Sequence, residues 1–242
     1  MKRWGRLLGA AFCLLLLLAA LATWNAVFRA PGGGRLPMPE GLISLESPAG
    51  EKLLAEAGSK ADLDALVRHF ETQSRPAYCG VASAVTVLNA MPAAAQPAWT
   101  QSTFFTDSAR RVRHPLKVTF GGMNLAELEG LLKAHDVDTA RVYASDSSAD
   151  AFRSVLRQNL ETPDDYVIVN YERAMLGQPA SGHISPLGAY DATSDRVLVL
   201  DVASYKYAPT WVPVGALWKA MDTLDSSAGK TRGYVIVRAR TK

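Results

Sequence analysis

Cys79 is the residue around which chemistry can be built. It follows Pro76-Ala77-Tyr78 and precedes Gly80 and a strongly helical run, which places its sulfur at a helix N-terminus. There the positive end of the helix dipole and the free N–H groups favour thiolate over thiol. A thiolate nucleophile also needs a base and a group that orients the base. Of the four histidines, His69 and His135 fall on helical patterns, and His114 precedes Pro115 in a basic loop. These three are expected to be solvated or bound to a partner side chain. His183 differs, because it follows Ser181-Gly182 and starts a β-rich run where a side chain can face a cleft. Asp201 ends the next such run, and antiparallel pairing around the turn at 191–195 brings the two together. An Asp there can accept from one imidazole nitrogen and hold the other toward the thiolate. For an oxyanion, the Cys79 N–H is one donor, and the side-chain amide of Gln73, six residues upstream, offers a second. A buried cysteine, a hydrogen-bonded histidine and a turn aspartate would show the same letters, so spacing alone leaves both readings open.

These residues must be positioned by helices in the first half and strands in the second. Ser47-Pro48 opens a short helix, with Ser as N-cap and Pro at its first position. Ser59 with Asp62 predicts a capping box for a second helix, its apolar stripe being Leu63, Leu66, Val67 and Phe70. Cys79–Ala90 is apolar almost all round and predicts a buried helix. Residues 92–97 read as a loop. Asn124 with Glu127 caps a helix ending near His135, with Leu125, Leu128, Leu131 and Leu132 inward. Residues 149–160 give another, with Phe152, Val155 and Leu156 on one face. The period then changes. Residues 166–170, 183–190, 196–201 and 233–237 are short β-rich runs bounded by turn residues, and 191–195 joins two of them as a hairpin. Helices first and an antiparallel sheet second is an α+β pattern.

The 242 residues are 48% hydrophobic and 20% charged, which excludes a disordered, collagen-like or coiled-coil chain. Two cysteines exclude a disulfide scaffold. The formal charge of +3 is local: three of the 26 basic residues are Lys2, Arg3 and Arg6, and the others balance the 23 acidic ones. A neutral body gives no electrostatic case for nucleic acid. The basic start is followed by an uncharged apolar run from Leu7, with Ala20-Leu21-Ala22 as a small-x-small cleavage signal and apolar residues continuing to Phe28. Residues 1–28 are thus expected to be a signal peptide or an uncleaved membrane anchor, with the body exported, to a bacterial periplasm in the simplest case. Residues 29–41 form a Gly/Pro-rich linker and 42–242 the folded domain.

The stretch Gln73-Ser-Arg-Pro-Ala-Tyr-Cys79-Gly-Val-Ala-Ser83 with Val87-Leu-Asn89 resembles the active-site segment of phytochelatin synthases, in a short, bacterial-type form. So do 167–171, Gly182-His-Ile-Ser-Pro186, Asp201-Val-Ala-Ser-Tyr-Lys-Tyr207 with Pro209 and Trp211, 217–221 and Thr231-Arg-Gly-Tyr234. The resemblance implies a papain-like cysteine-peptidase fold, with N-terminal helices packed on a C-terminal antiparallel sheet. It implies cleavage of glutathione to γ-glutamylcysteine and glycine through a thioester on Cys79, with transfer to water or to a second glutathione. His183 becomes base and then acid, Asp201 the orienter and Gln73 the oxyanion glutamine. Arg232 is expected on the γ-glutamyl α-carboxylate and Asp225 on the α-ammonium. No tightly bound cofactor is implied; cadmium or zinc would enter as glutathione thiolate complexes.

Two features depart from the family pattern. The Cys-rich C-terminal region of the plant enzymes is absent from this sequence, and Ser204 stands where the motif Asp-Val-x-Arg places an arginine serving the second glutathione. Hydrolysis is therefore expected to dominate over polymer synthesis. Two other readings remain at this level. One is a non-catalytic thiol or metal-binding protein using Cys79, His183 and Asp201 as ligands. The other is a broad peptidase. Glutathione is the expected partner, and assembly as a homodimer stays open.

Overall fold

The structure, a computed structural model, describes residues 2–92 and 98–240, and the side chains of 2–11 lie outside what it describes. The expected loop at 92–97 falls almost entirely outside the described residues. In chain order the elements are α1 (Lys2–Val27), β1 (Ile43–Ser44), α2 (Pro48–Glu56), α3 (Leu63–Arg68), α4 (Cys79–Ala90), α5 (Asp107–Val112), α6 (Pro115–Gly121) and α7 (Leu125–Lys133). They continue as β2 (Val137–Tyr143), α8 (Ala149–Glu161), β3 (Asp165–Glu172), β4 (Gly182–Asp191), β5 (Arg196–Val199), β6 (Thr210–Pro213), α9 (Val214–Met221), β7 (Leu224–Asp225), β8 (Lys230–Thr231) and β9 (Gly233–Ala239).

Seven strands form one antiparallel sheet in the order β1-β6-β5-β4-β3-β9-β2, and β7 and β8 make a separate two-stranded ribbon. The sheet is covered by helices on both faces, so its central strands are buried throughout instead of alternating with solvent. In β3 the pleat sends Tyr166 and Ile168 into a core shared with α4 and α7, and Val167, Val169 and Tyr171 into a second core under α8 and α9. The α+β class expected from sequence is thus present. The expected packing of N-terminal helices on the sheet is present too, and the structure adds two features to it. α8 and α9 cover the opposite face, and β1 and β2, both preceding α8 in the chain, supply the two edges of the sheet.

Local rules account for most helix ends. Ser47 accepts from the Gly50 N–H, and Asn124 and Glu127 close a reciprocal capping box. The expected capping box at Ser59 and Asp62 does not form. Ser59 Oγ instead donates to Glu161, and the Asp62 carboxylate accepts from the N–H groups of Asp164 and Asp165. Val67, expected inward, is 56% exposed, and α3 buries Leu63 and Leu66 instead. The 191–195 hairpin forms as expected, with Asp191 opposite Arg196.

The apolar N-terminal segment is one continuous helix, in which Thr23 and Asn25 satisfy their side chains on carbonyls four residues back. Among the described residues no helix is long and apolar enough to cross a membrane. Part of the expected linker lies along the body. The Leu36 N–H donates to Lys206 O at 2.8 Å, and Arg196 donates to Gly41 O at 2.8 Å.

Candidate active site

α4 starts at Cys79, and every following residue through Ala90 is buried. The helix can sit this deep because its run is small and apolar, and because Gly80 leaves room for Met123. A Cβ at position 80 would come within 2.5 Å of the Met123 sulfur. α4 packs on β4, where Ser83 Oγ donates to Ile184 O at 3.0 Å. This contact sets the thiol of Cys79 beside His183, the second residue of β4. As the first residue of the helix, Cys79 has a backbone N–H with no acceptor inside the helix.

His183 is 4% exposed, and its Nε2 lies 2.9 Å from Asp201 Oδ1. A carboxylate can only accept, so Nε2 carries the hydrogen and Nδ1 faces the thiol of Cys79. The edge of the ring is held by Tyr171 in a T-shaped contact at 5.6 Å. Asp201 follows the end of β5 by two residues and is itself buried. It accepts at 2.8 Å from the Ala203 N–H and at 2.8 Å from Arg173 Nη2. Burial would push its carboxyl up, but the charges of His183 and Arg173 hold it well below the usual carboxylate range. Burial likewise pushes the Cys79 thiol up. The hydrogen bond and charge of His183, with smaller help from the Ile184 backbone and Arg173, more than offset it and leave the thiol lowered. For His183, burial and Arg173 push down while Asp201 and Cys79 push up, and the balance is a raised value. Both shifts favour the charged forms, thiolate for Cys79 and imidazolium for His183.

A pocket of about 430 Å3 opens over Cys79 and His183. Arg232 and Asp225, to which the resemblance gives the γ-glutamyl group, both line it. Arg232 donates to Leu224 O at 2.7 Å and to Glu172 at 3.2 Å, while its Nε is buried without a partner. Gly182 permits this approach: a Cβ there would come within 2.9 Å of the guanidinium. Asp225 sits at the end of the β7–β8 ribbon and accepts from the Ser227 N–H and hydroxyl.

Gln73 also lines the pocket, but its amide is turned onto its own loop. Nε2 donates to Arg75 O at 3.0 Å and Pro76 O at 2.8 Å, and Oε1 is buried without a partner. In this state Gln73 pins the turn ahead of Cys79, and the oxyanion donor standing free is the Cys79 N–H. Ser204 lies just outside the lining, with its hydroxyl 2.6 Å from that of Thr72, while its neighbours Ala203, Tyr205 and Lys206 face the pocket. The other histidines stand apart. His69 ends α3. His114 does not lie in a loop but caps α6, its ring nitrogen accepting from the Leu116 N–H. His135 follows α7 and is packed between Trp99 and Phe104.

Sequence reasoning missed Arg173, Glu172 and Lys206. Arg173 is 2% exposed and joins Asp201, Gln178 and the face of Tyr207. Nothing in the local run around it distinguishes it from a surface arginine; only the fold of the turn between β3 and β4 brings it to Asp201. Among the described residues, no group of three His, Cys, Asp or Glu side chains is placed to hold a metal ion. Asp201 in particular accepts from Arg173, His183 and Ala203.

A helix-terminal cysteine, a strand-borne imidazole and a buried carboxylate behind it make a Cys–His–Asp arrangement of the kind that serves a cysteine nucleophile. The phytochelatin synthase family model matches residues 34–234, and the chain belongs to that family. A Lotus japonicus protein named glutathione gamma-glutamylcysteinyltransferase 3 is 36% identical over 207 residues, covering 84% of this chain and 43% of its own. An Arabidopsis thaliana protein named glutathione gamma-glutamylcysteinyltransferase 1 is 35% identical over 207 residues, covering 84% and 42%. The chain thus spans under half the length of these relatives. Among solved structures, xylellain, a cysteine protease from Xylella fastidiosa, aligns over 88% of this chain and 98% of its own at 10% identity, with a TM-score of 0.47.

Proposed function

We propose that the protein cleaves the Cys–Gly bond of glutathione through a γ-glutamylcysteinyl thioester on Cys79. The observation that carries this reading is that Cys79 and His183, each shifted toward its charged form, line the same pocket as Arg232, whose Nε is unpaired. The Cys79 thiolate attacks the carbonyl carbon of the glutathione Cys–Gly bond, and the Cys79 N–H receives the developing oxyanion. His183 Nδ1–H gives its proton to the departing glycine nitrogen, and Asp201 stabilises the imidazolium until that transfer. Neutral His183 then takes a proton from the incoming nucleophile, water or the amine of a second glutathione, and the thiolate is released.

Arg232 receives the γ-glutamyl α-carboxylate, for which its guanidinium fork is suited, and Asp225 receives the α-ammonium. Gln73 joins the oxyanion site when one of its two carbonyl contacts is exchanged for the substrate. Ser204 leaves the acceptor side with a hydroxyl in place of a guanidinium, which favours water and makes γ-glutamylcysteine the main product. Cadmium and zinc act on this reaction as thiolate complexes of the substrate. Residues 1–28 direct export, and the body works outside the cytoplasm, released after cleavage or held by the uncleaved segment. The engagement of Asp201 by Arg173, His183 and the Ala203 N–H favours its role as orienter over that of a metal ligand.

The test is intact-mass analysis of the protein after brief exposure to glutathione. A γ-glutamylcysteinyl adduct on Cys79, with free glycine in solution, is expected. Glycine release that persists in Cys79→Ser would refute the reading.

A further inference from the structure

We propose that the exposed side of α5 and α6 is a docking surface for an anionic membrane. α6 buries Val118 and Thr119 and turns Leu116, Lys117 and Phe120 outward, with Leu116 50% and Phe120 63% exposed. Leu116 and Phe120 are four residues apart and Lys117 is three from Phe120, so the three share one face. α5, two residues upstream, adds Arg110 and Arg111 on its exposed side. Residues 107–121 hold four Lys or Arg and one acid, Asp107, within a body whose charges balance overall. Arg113 is paired with Glu127, whereas among the described residues no acid forms an ion pair with Arg110, Arg111 or Lys117.

The surface continues into the N-terminal helix. Phe28 meets Phe120 edge-on at 5.8 Å and stacks on Trp24 at 4.8 Å, and Trp24 is 60% exposed. Trp24 and Phe28 lie beyond the Ala20-Leu21-Ala22 signal, so the aromatic cluster remains whether or not the segment is cut. Aromatic rings, aliphatic side chains and unpaired cations on one exposed strip match a lipid headgroup boundary. The rings and Leu116 enter the acyl edge, and the cations meet lipid phosphates. A protein partner would have to cover four aromatic or aliphatic groups while also supplying the acids. Gly121 and Gly122, at the end of α6, line the active-site pocket, so docking here would set the pocket mouth close to the membrane surface. The proposal stands independently of the reaction assigned to that pocket.

The experiment is hydrogen–deuterium exchange of the full chain with vesicles of equal parts phosphatidylglycerol and phosphatidylcholine, with vesicles of phosphatidylcholine alone, and without vesicles. Exchange across 107–121 should slow several-fold with the anionic vesicles and return to the vesicle-free rate with phosphatidylcholine, even if α1 inserts in both. The slowing should vanish in the triple variant Arg110→Ser, Arg111→Ser, Lys117→Ser and in Leu116→Ser with Phe120→Ser. Unchanged exchange in the core strands would show that both variants are folded. Equal exchange under all three conditions overturns the proposal. Equal protection by both vesicle types overturns it as well, because the charges would then play no part. Protection that needs no vesicles and grows with protein concentration would identify the partner as a second copy of the chain, again overturning it.

Discussion

Arg173 and Asp201 face each other at 2.8 Å with both side chains withdrawn from solvent, and the same carboxylate holds His183 at 2.9 Å. Asp201 therefore serves two cations. One carries the proton of the reaction, and the other never titrates. Without Arg173, one carboxylate would face an imidazole whose charge changes during each turnover. With it, Asp201 stays ionised in every step.

Removing one member of this buried pair should cost stability as well as rate. Arg173→Met is expected to lose about 3–5 kcal/mol, the typical cost of stranding one buried charge. Asp201→Asn strands Arg173 in the same way and also weakens the imidazolium. The double variant should recover part of the lost stability and none of the rate. Depressed in the fold, the Asp201 carboxyl contributes stability that is complete above its unfolded value near 3.9 and is lost as pH falls through its folded value. Arg173→Met should thus flatten the acid side of the stability profile. Thermal unfolding across pH, beside glycine release, checks all three variants. Wild-type stability in Asp201→Asn would make the Arg173 contact incidental.

Cys79 should be alkylated by iodoacetamide at pH values well below the ordinary thiol value of about 8.5. Its lowered value keeps thiolate present as pH falls below that point, and the raised value of His183 keeps imidazolium present as pH rises past about 6.5. In His183→Ala the main downward influence is gone and burial prevails, so the reactive limb should move above the ordinary thiol value. Inactivation rates measured from acid to alkaline pH give both curves. A wild-type midpoint at or above that of a free thiol would contradict the ion pair.

Arg232→Lys should keep a positive charge in the pocket but lose the two-pronged geometry, raising KM for glutathione more than it lowers kcat. Since a hydrogen bond to a charged group contributes about 1.5–3 kcal/mol, Arg232→Ala should lose on the order of tenfold to a hundredfold in kcat/KM. Steady-state kinetics on folded variants is the measurement. A loss confined to kcat would move Arg232 away from ground-state binding.

Ser204→Arg should shift the fate of the acyl-enzyme toward transfer. The new guanidinium must displace the Thr72 contact and would join Lys206 at the pocket edge. Within the same 1.5–3 kcal/mol range, the gain in polymer over γ-glutamylcysteine is about tenfold to a hundredfold. Chromatography of products at high glutathione with cadmium or zinc reads the partition. Abundant longer peptides from the unaltered protein would show that Ser204 does not limit synthesis.

The sequence by itself determined the chemistry of the nucleophile. A small, apolar run after Cys79 can form a buried helix, and a cysteine at its first turn is biased toward thiolate before any partner arrives. Periodicity likewise predicted a helix from Asn124 to near His135, another over 149–160 and the hairpin around 191–195, and the structure has them at 125–133, 149–161 and 191–195, because each is decided by contacts a few residues apart. The edge strand Val137–Tyr143 was not legible, since its mixed apolar and charged residues take strand form only by pairing with β9 nearly a hundred residues later. The same reason hid Arg173. A buried arginine is defined by the acid that meets it, and Asp201 is 28 residues away. Gln73 shows the limit from the other side. Its place beside the thiol follows from the loop, but which way its amide points was decided by the carbonyls of Arg75 and Pro76, which fold back within its reach. Local spacing can fix which groups are present and on which element. The direction and charge of a buried polar group depend on partners that only the packed chain brings into contact.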